Sequence, residues 1–318
     1  MKDNQKKDPE AWHVLVCGLS LADNSFDLGS SIVINRLLFP LSVFDLAALG
    51  AAGFREWATL EPLAPAATAE IVSLTDAAVL PGYDALNKCW LASALLVLRG
   101  FARHICPAAS AYSWNLIAGH QKQTSHLFVQ QLKEEGVEKA VYESRRALPA
   151  FQGGLLDYHL KILIPDKIRN DAFDAKEAAW IAKHFEIFNR LATEDERFRF
   201  ALEASIDWRY SKDVRSALAR IWSGIESLFN INTELVYRIS LLAATVWAPR
   251  GQERINAFRD IKNLYGIRSK AVHGEPLTED KLLKGLHGSF ELLRHLILDA
   301  ITLGRVRSED DFLSELLS

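Results

Sequence analysis

The sequence predicts an α+β chain in which an N-terminal mixed α/β domain is followed by an all-α helical bundle. Two observations carry this. Trp12–Leu21, Ser31–Leu37 and Glu70–Leu74 are rich in β-branched residues and lie between Gly, Asp, Asn and Ser clusters, which is how strands read. From about Asp174 onward, apolar residues recur at helical spacing in one segment after another, with short connections. The change of character falls near residues 170–195, and the domains are read as 1–174 and 175–318.

In the first half, Gly50–Gly53 and the proline-containing Leu60–Thr68 read as loops or turns. Tyr83–His104 reads as a long helix, with Leu86, Trp90, Ala94, Val97 and Phe101 on one stripe and Pro107 as its stop. Ala111–Ile117 and Leu155–Ile164 read as strands, and Leu127–Lys139 as a helix. The second half reads as successive helices. Ala175–Leu191 carries a stripe of Trp180, His184, Ile187/Phe188 and Leu191, and Phe198–Trp208 follows. Asp213–Phe229 is capped by Asp213 and ended by Asn230, and Thr233–Trp247 is capped by Thr233. Gln252–His273 is stopped by Gly274 and Pro276, a helix from Thr278 follows, and Ser308–Ser318 adds a short amphipathic turn.

Composition narrows the function classes. The chain has 318 residues, 49% hydrophobic and 24% charged, with a formal net charge of −3, so the molecule as a whole does not attract nucleic acid. Arg197 to Glu275 nevertheless holds 13 Lys/Arg against 8 Asp/Glu, a local surplus of five positive charges. Cys17, Cys89 and Cys106 are widely spaced in sequence and form no Cys-x-x-Cys pair. They read as buried spectators in a reducing compartment. Residues 1–10 lack the apolar core of a signal peptide, and Arg99 and Arg103 cut short the apolar run beginning at Trp90. The expected setting is the cytoplasm, with no membrane. Neither a phosphate-cradling glycine loop, a Gly-x-Ser-x-Gly elbow nor a His-Glu-x-x-His motif occurs. His287 and His295, eight residues apart on one helix, do not converge on one ion. His120, His126, Arg145 and Arg146 receive no specific role. No metal and no cofactor are expected.

One helix carries an anomaly. Between Gln252 and His273 the apolar stripe is Ile255, Phe258, Ile261, Tyr265 and Val272, and the position that completes it is Arg268. A core-facing guanidinium is costly unless paired. Glu226 occupies the apolar face of the Asp213–Phe229 helix beside Trp222, Ile225 and Phe229, so a Glu226–Arg268 pair is expected. His273 follows Arg268 by five residues, about 140° around an ideal helix, and the two do not share a face. A joint site would need a frayed last turn, the reach of the arginine, or a second chain. Histidine titrates near neutrality and suits acid–base catalysis.

Arg268-Ser269-Lys270-Ala271-Val272-His273 at a helix end, followed by Gly274 and preceded by the Ile221-Trp222-Ser223-Gly224-Ile225-Glu226 helix, resembles the Arg-x(4–6)-His motif of HEPN domains. The likeness is to the Apea-like HEPN group associated with bacterial abortive infection, and it covers roughly residues 195–305. It implies an HEPN-type helical bundle that forms a homodimer and cleaves RNA, tRNA among the candidates, without metal. His273 would be the acid–base group and Arg268 the charge stabiliser, with Glu226, Ser269 and Lys270 supporting. It also implies a phage-derived trigger or regulatory partner acting through the N-terminal domain. Many catalytic HEPN motifs have Asn, Asp or His after the arginine, where this chain has Ser269. The alternative is a non-catalytic homodimeric RNA-binding or protein-interaction module, with Arg268 structural and His273 a helix-end residue.

Overall fold

The computed structural model describes residues 11–42, 45–46, 60–74, 83–118, 133–136, 153–156, 162–229, 231 and 235–317. The chain is α+β and divides into two compact units. Met1–Leu96, Arg103–Tyr158 and Asn170–Lys183 form the first; Val97–Ala102, His159–Arg169 and His184–Ser318 form the second.

The first unit is built on a six-stranded sheet: β1 (Ala11–Cys17), β2 (Ser25–Gly29), β3 (Ile32–Arg36), β4 (Ala67–Leu74), β5 (Ile105–Ser110) and β6 (Gly153–Leu155). The order is β2-β3-β4-β1-β5-β6, and every neighbouring pair is antiparallel. β1 is central, with Val14 opposite Ile71 on β4 and Leu15 opposite Ala108 on β5. Its residues Val14–Cys17 are all buried, which explains why it reads as a continuous apolar run. Helix α1 (Tyr83–Leu98) lies close to β4, the Cys89 thiol reaching Ile71 O at 3.7 Å.

Several expectations change. α1 ends at Leu98, not His104, and Gly100 takes a left-handed φ of 99°. Pro107 lies inside β5 instead of stopping a helix. The β1–β5 register slips between Leu15 and Cys17, and a bulge is where a strand tolerates a proline. Ala111–Ile117 is not a strand, because Ser113 accepts from Asn115 N–H and starts the short helix α2 (Trp114–Ile117). Of the described residues in Leu155–Ile164, only Leu155 belongs to a strand, Leu156 and 162–164 are irregular, and 157–161 lie outside the described residues. There the Leu163 amide donates to Arg209 O of a 3-10 turn, so no ladder forms. Leu60–Thr68 is a turn and a 3-10 helix (Ala64–Ala66) leading into β4. Gly50–Gly53, His120, His126, Arg145, Arg146, Asn230 and Thr233 lie outside the described residues, as does most of Leu127–Lys139.

A buried carboxylate ties α2 to the sheet. Glu70 on β4 is 1% exposed. It accepts from Ser113 Oγ at 2.8 Å and from Trp114 N–H at 2.6 Å, and His13 Nδ1 lies 3.2 Å away. Burial opposes the charge, but the contacts with His13, Ser113 and Trp114 outweigh it and hold the carboxyl below its ordinary value.

Helix α3 (Ala175–Glu194) spans the division between the units. Its buried stripe is Ile181, Phe185, Phe188 and Leu191. Trp180, His184 and Ile187, expected on it, are only partly covered. The second unit continues with α4 (Glu196–Asp207), the 3-10 turn Trp208–Tyr210, α5 (Val214–Phe229), α6 (Leu235–Trp247), α7 (Gln252–Val272), α8 (Glu279–Leu303) and α9 (Glu309–Leu317). Asp195, Asp213 and Thr278 cap α4, α5 and α8 by accepting backbone N–H groups of their first turns. α5 is the hub, lying against α4, α7 and α8. At its centre a Cβ on Gly224 would sit 2.6 Å from Ala204 Cβ and 3.3 Å from Ala201 Cα, so glycine is what lets α4 and α5 approach. No described helix is long and apolar enough to cross a membrane.

Two outcomes follow from these contacts. Gly224→Val should cost about 3 kcal/mol or more by urea denaturation, since neither α4 nor Leu293 has room for the branched side chain. Glu70→Gln should cost about 1–3 kcal/mol at pH 7, because an amide cannot accept on both sides. Glu70 has a folded pKa below its ordinary 4.5, so its contribution is complete above that value and fades as pH falls through the lowered one. The gap between wild type and Glu70→Gln should therefore shrink on acidification, as urea melts at pH 7 and pH 3 would measure.

Candidate functional site

α7 presents its core side through Ala257, Ile261, Tyr265 and Ala271. The expected stripe is narrower than the sequence suggested: Ile255 and Val272 are each 47% exposed. Tyr265 meets Trp222 of α5 edge-on at 5.0 Å, and the Trp222 indole N–H donates to Ser289 Oγ of α8 at 2.9 Å. This places the last turns of α7 beside the middle of α5.

Arg268 lies next to this contact. Its Nη2 is 3.3 Å from Glu226 Oε1, with the two side chains 22% and 25% exposed. The guanidinium carbon is 5.4 Å from the Tyr265 ring centre, within cation–π range. The expected partner is thus the observed one. Glu226 Oε1 and Arg268 Nε are nonetheless buried without a hydrogen bond of good geometry, so the pair neutralises charge without satisfying every donor and acceptor. Burial and the Glu226 carboxylate push the Tyr265 phenol up from its ordinary value, and Arg268 opposes them.

The end of α7 is ordered. His273 N–H still donates to Ser269 O at 3.0 Å, Gly274 N–H donates to Ala271 O, and Glu275 N–H reaches back to Lys270 O at 2.9 Å. With Gly274 at φ 73°, this is a Schellman motif, and glycine is the residue that adopts that φ freely. Arg215, in the first turn of α5, completes the cap. Its Nη1 donates to Ala271 O and its Nη2 to Glu275 O, both at 2.9 Å. A cation is favoured at this negative end of the helix dipole.

The structure therefore joins Arg268 to Glu226 and leaves His273 apart from both. His273 is exposed, and no described residue bonds its imidazole. Lys270 is exposed and Ser269 is partly covered. With the last turn intact, Arg268 and His273 stay about 140° apart around the helix axis. Arg215 was not legible as part of this site. Its partners are backbone carbonyls, and the only signal was that α7 must end with carbonyls needing donors.

Other polar groups are accounted for elsewhere. His287 Nδ1 accepts from Asp166 N–H at 3.2 Å, and His295 Nε2 lies 3.0 Å from Val246 O beside the Trp247 ring. His287 lines a cleft of about 510 Å³ with Asp166, Asp260, Asn263 and Glu291; neither Arg268 nor His273 borders it. Among the described residues no group of His, Cys, Asp and Glu is arranged to hold a metal ion. None of the three cysteines is in a disulfide. Burial pushes the Cys17 thiol up to about 12 and raises that of Cys89 as well, so neither supplies a thiolate at neutral pH.

Comparison with known proteins finds no matching protein-family model, no matching curated protein and no matching solved structure. The HEPN resemblance thus rests on the residues themselves, Glu226, Arg268, Ser269, His273 and Gly274, in their helical setting.

The Glu226–Arg268 pair makes a sharp stability prediction. Glu226→Ala should cost about 1–3 kcal/mol, because it strands a largely covered guanidinium. Replacing both partners, Glu226→Leu with Arg268→Met, should recover most of that loss in urea melts. A double variant as unstable as the single would show that the cost is packing and not charge.

Proposed function

We propose that the second unit is a metal-independent endoribonuclease that acts as a homodimer. The observation that carries the reading is the exposed imidazole of His273, bonded by no described residue and held on a Schellman-capped helix end one face away from the neutralised Arg268. In the reaction, a ribose 2′-OH attacks the adjacent phosphorus while a histidine accepts its proton. The P–O5′ bond breaks and a proton is delivered to the leaving 5′ oxygen. This leaves a 2′,3′-cyclic phosphate and a 5′-OH. Arg268 stabilises charge on the phosphate oxygens, the kind of electrostatic contribution that usually dominates, and Glu226 positions it. Since one chain holds the two groups on different faces, the second copy supplies the other half of each site. DNA lacks the 2′-OH and is not cut.

The setting in this reading is the bacterial cytoplasm and antiphage defence by abortive infection, with the first unit sensing a phage-derived trigger or binding a regulator. That setting follows the HEPN resemblance alone. A second reading, a non-catalytic homodimeric RNA-binding or protein-interaction module, is favoured by one observation: Arg268 is already committed to Glu226.

The test is incubation of purified protein with total RNA or tRNA in EDTA, followed by end-group analysis. Wild type should yield 2′,3′-cyclic phosphate and 5′-OH ends. His273→Ala should be slower by about 10²-fold or more, the usual worth of a general acid or base. Cleavage by His273→Ala at the wild-type rate would sink the catalytic assignment. RNA that is bound and left intact by wild type would establish the second reading.

A further inference from the structure

The outward face of α7 has a composition that the fold does not explain. Arg259, Lys262, Gly266, Ser269, Lys270 and His273 fall within an arc of about 100° and extend about 21 Å along the helix. No Asp or Glu of α7 shares that arc. Arg259, Lys262 and Lys270 are exposed, and none bonds or pairs with a described residue. Several other cations of the second unit are tied down: Arg220 to Asp207, Arg238 to Glu309, Arg254 to Glu315, Arg294 to Glu291 and Arg307 to Asp299. The contrast is one of position. The bundle pairs most of its described arginines and gathers Arg259, Lys262 and Lys270 on one helix face.

Gly266 sits in the middle of this face. A glycine inside a helix is less stable there than alanine, and such a glycine usually admits a neighbouring side chain, as Gly224, Gly285 and Gly288 do. Gly266 admits nothing, since a Cβ built on it meets no atom within 4 Å. The missing side chain keeps the ridge low between Lys262 and Lys270, where an outside backbone could lie close to the helix.

We infer that this face is a track for the sugar–phosphate backbone of single-stranded RNA, with Arg259, Lys262 and Lys270 each neutralising a phosphate and leading the strand toward His273. The inference rests on the RNA reading above and assigns it a binding surface. A second copy docking face to face would set unpaired cations against unpaired cations, which disfavours it as the occupant. The phosphates are read through charge alone, so a DNA strand of the same sequence binds the track without being cut.

The experiment uses the full chain and a labelled single-stranded oligodeoxynucleotide of about 12 nucleotides, within the usual site size, with the matching RNA alongside. Anisotropy is followed between about 50 and 200 mM salt. Three phosphate contacts on a single strand give a log K against log salt slope near −2, and one contact gives about −0.7. Arg259→Gln/Lys262→Gln should move the slope from the first value to the second, while Lys284→Gln, whose lysine pairs with Asp280, should change nothing. Gly266→Glu should weaken binding by about tenfold without lowering the thermal midpoint, because glutamate is a better helix former than glycine. That variant separates lost binding from lost folding. Equal affinity for the double variant and Lys284→Gln would overturn the track, and so would binding to phosphatidylserine vesicles but not to either oligonucleotide. RNA bound through this face but never cut removes the catalytic reading and keeps the track. RNA cut by the double variant with unchanged KM removes the track and keeps the catalysis.

Discussion

Everything at the candidate site depends on α5 being the helix that its neighbours must all approach. Close approach to α4 requires Gly224. A buried indole on the same helix needs an acceptor for its N–H, and Ser289 of α8 provides it. Glu226, largely covered on the face toward α7, needs a cation, and Arg268 provides that. Each is a local demand of burying a polar or bulky group, and each fixes one partner helix against α5. Arg268 is thus explained by the bundle before any chemistry is asked of it.

α5 also fixes where α7 stops. Arg215, from its first turn, donates to Ala271 O and Glu275 O on either side of the Schellman turn. The backbone at His273 is therefore held from two directions, by its own helix and by α5, while its imidazole bonds no described residue. Such an anchor costs little flexibility in use. A catalytic or binding group on a rigid element arrives already oriented, and the cations upstream on α7 share that rigidity because they stand on the same helix.

What could be read from the sequence follows the same physics. The bundle helices were legible because their apolar period and their caps, Asp213 and Thr278, are local signals. The Glu226–Arg268 pair was legible because a charge on an apolar stripe demands an opposite charge on a neighbouring one. β2, β5 and β6 were not, since Asp27 and Gly29, Pro107, and Gly153–Gly154 are residues that usually mark turns, and long-range pairing overrode that preference. The α3 stripe was read correctly at Phe188 and Leu191 but one position off in its first half, at Trp180 and His184 in place of Ile181 and Phe185. Two adjacent apolar ridges fit the period equally well, and only the packing partners choose between them. The positive face of α7 went unread because its cations are never adjacent in sequence and gather only once the helix is formed.

The spacing of the motif explains its division. Residues three, four or seven apart on a helix share a face, and would be buried together or exposed together. Five apart, they do not. Arg268 falls where α5 requires it to be neutralised, and His273 falls on an exposed side of the helix. Between them, on the outer side, lie Ser269 and Lys270, continuous with Lys262 and Arg259 about two and three turns earlier. The interval therefore assigns one helix end two roles, an inward ion pair that holds the bundle in register and an outward histidine at the end of a line of exposed cations that no described residue pairs. Any chemistry that uses both must bring the inward charge and the outward imidazole to one phosphate. A single capped helix cannot do so.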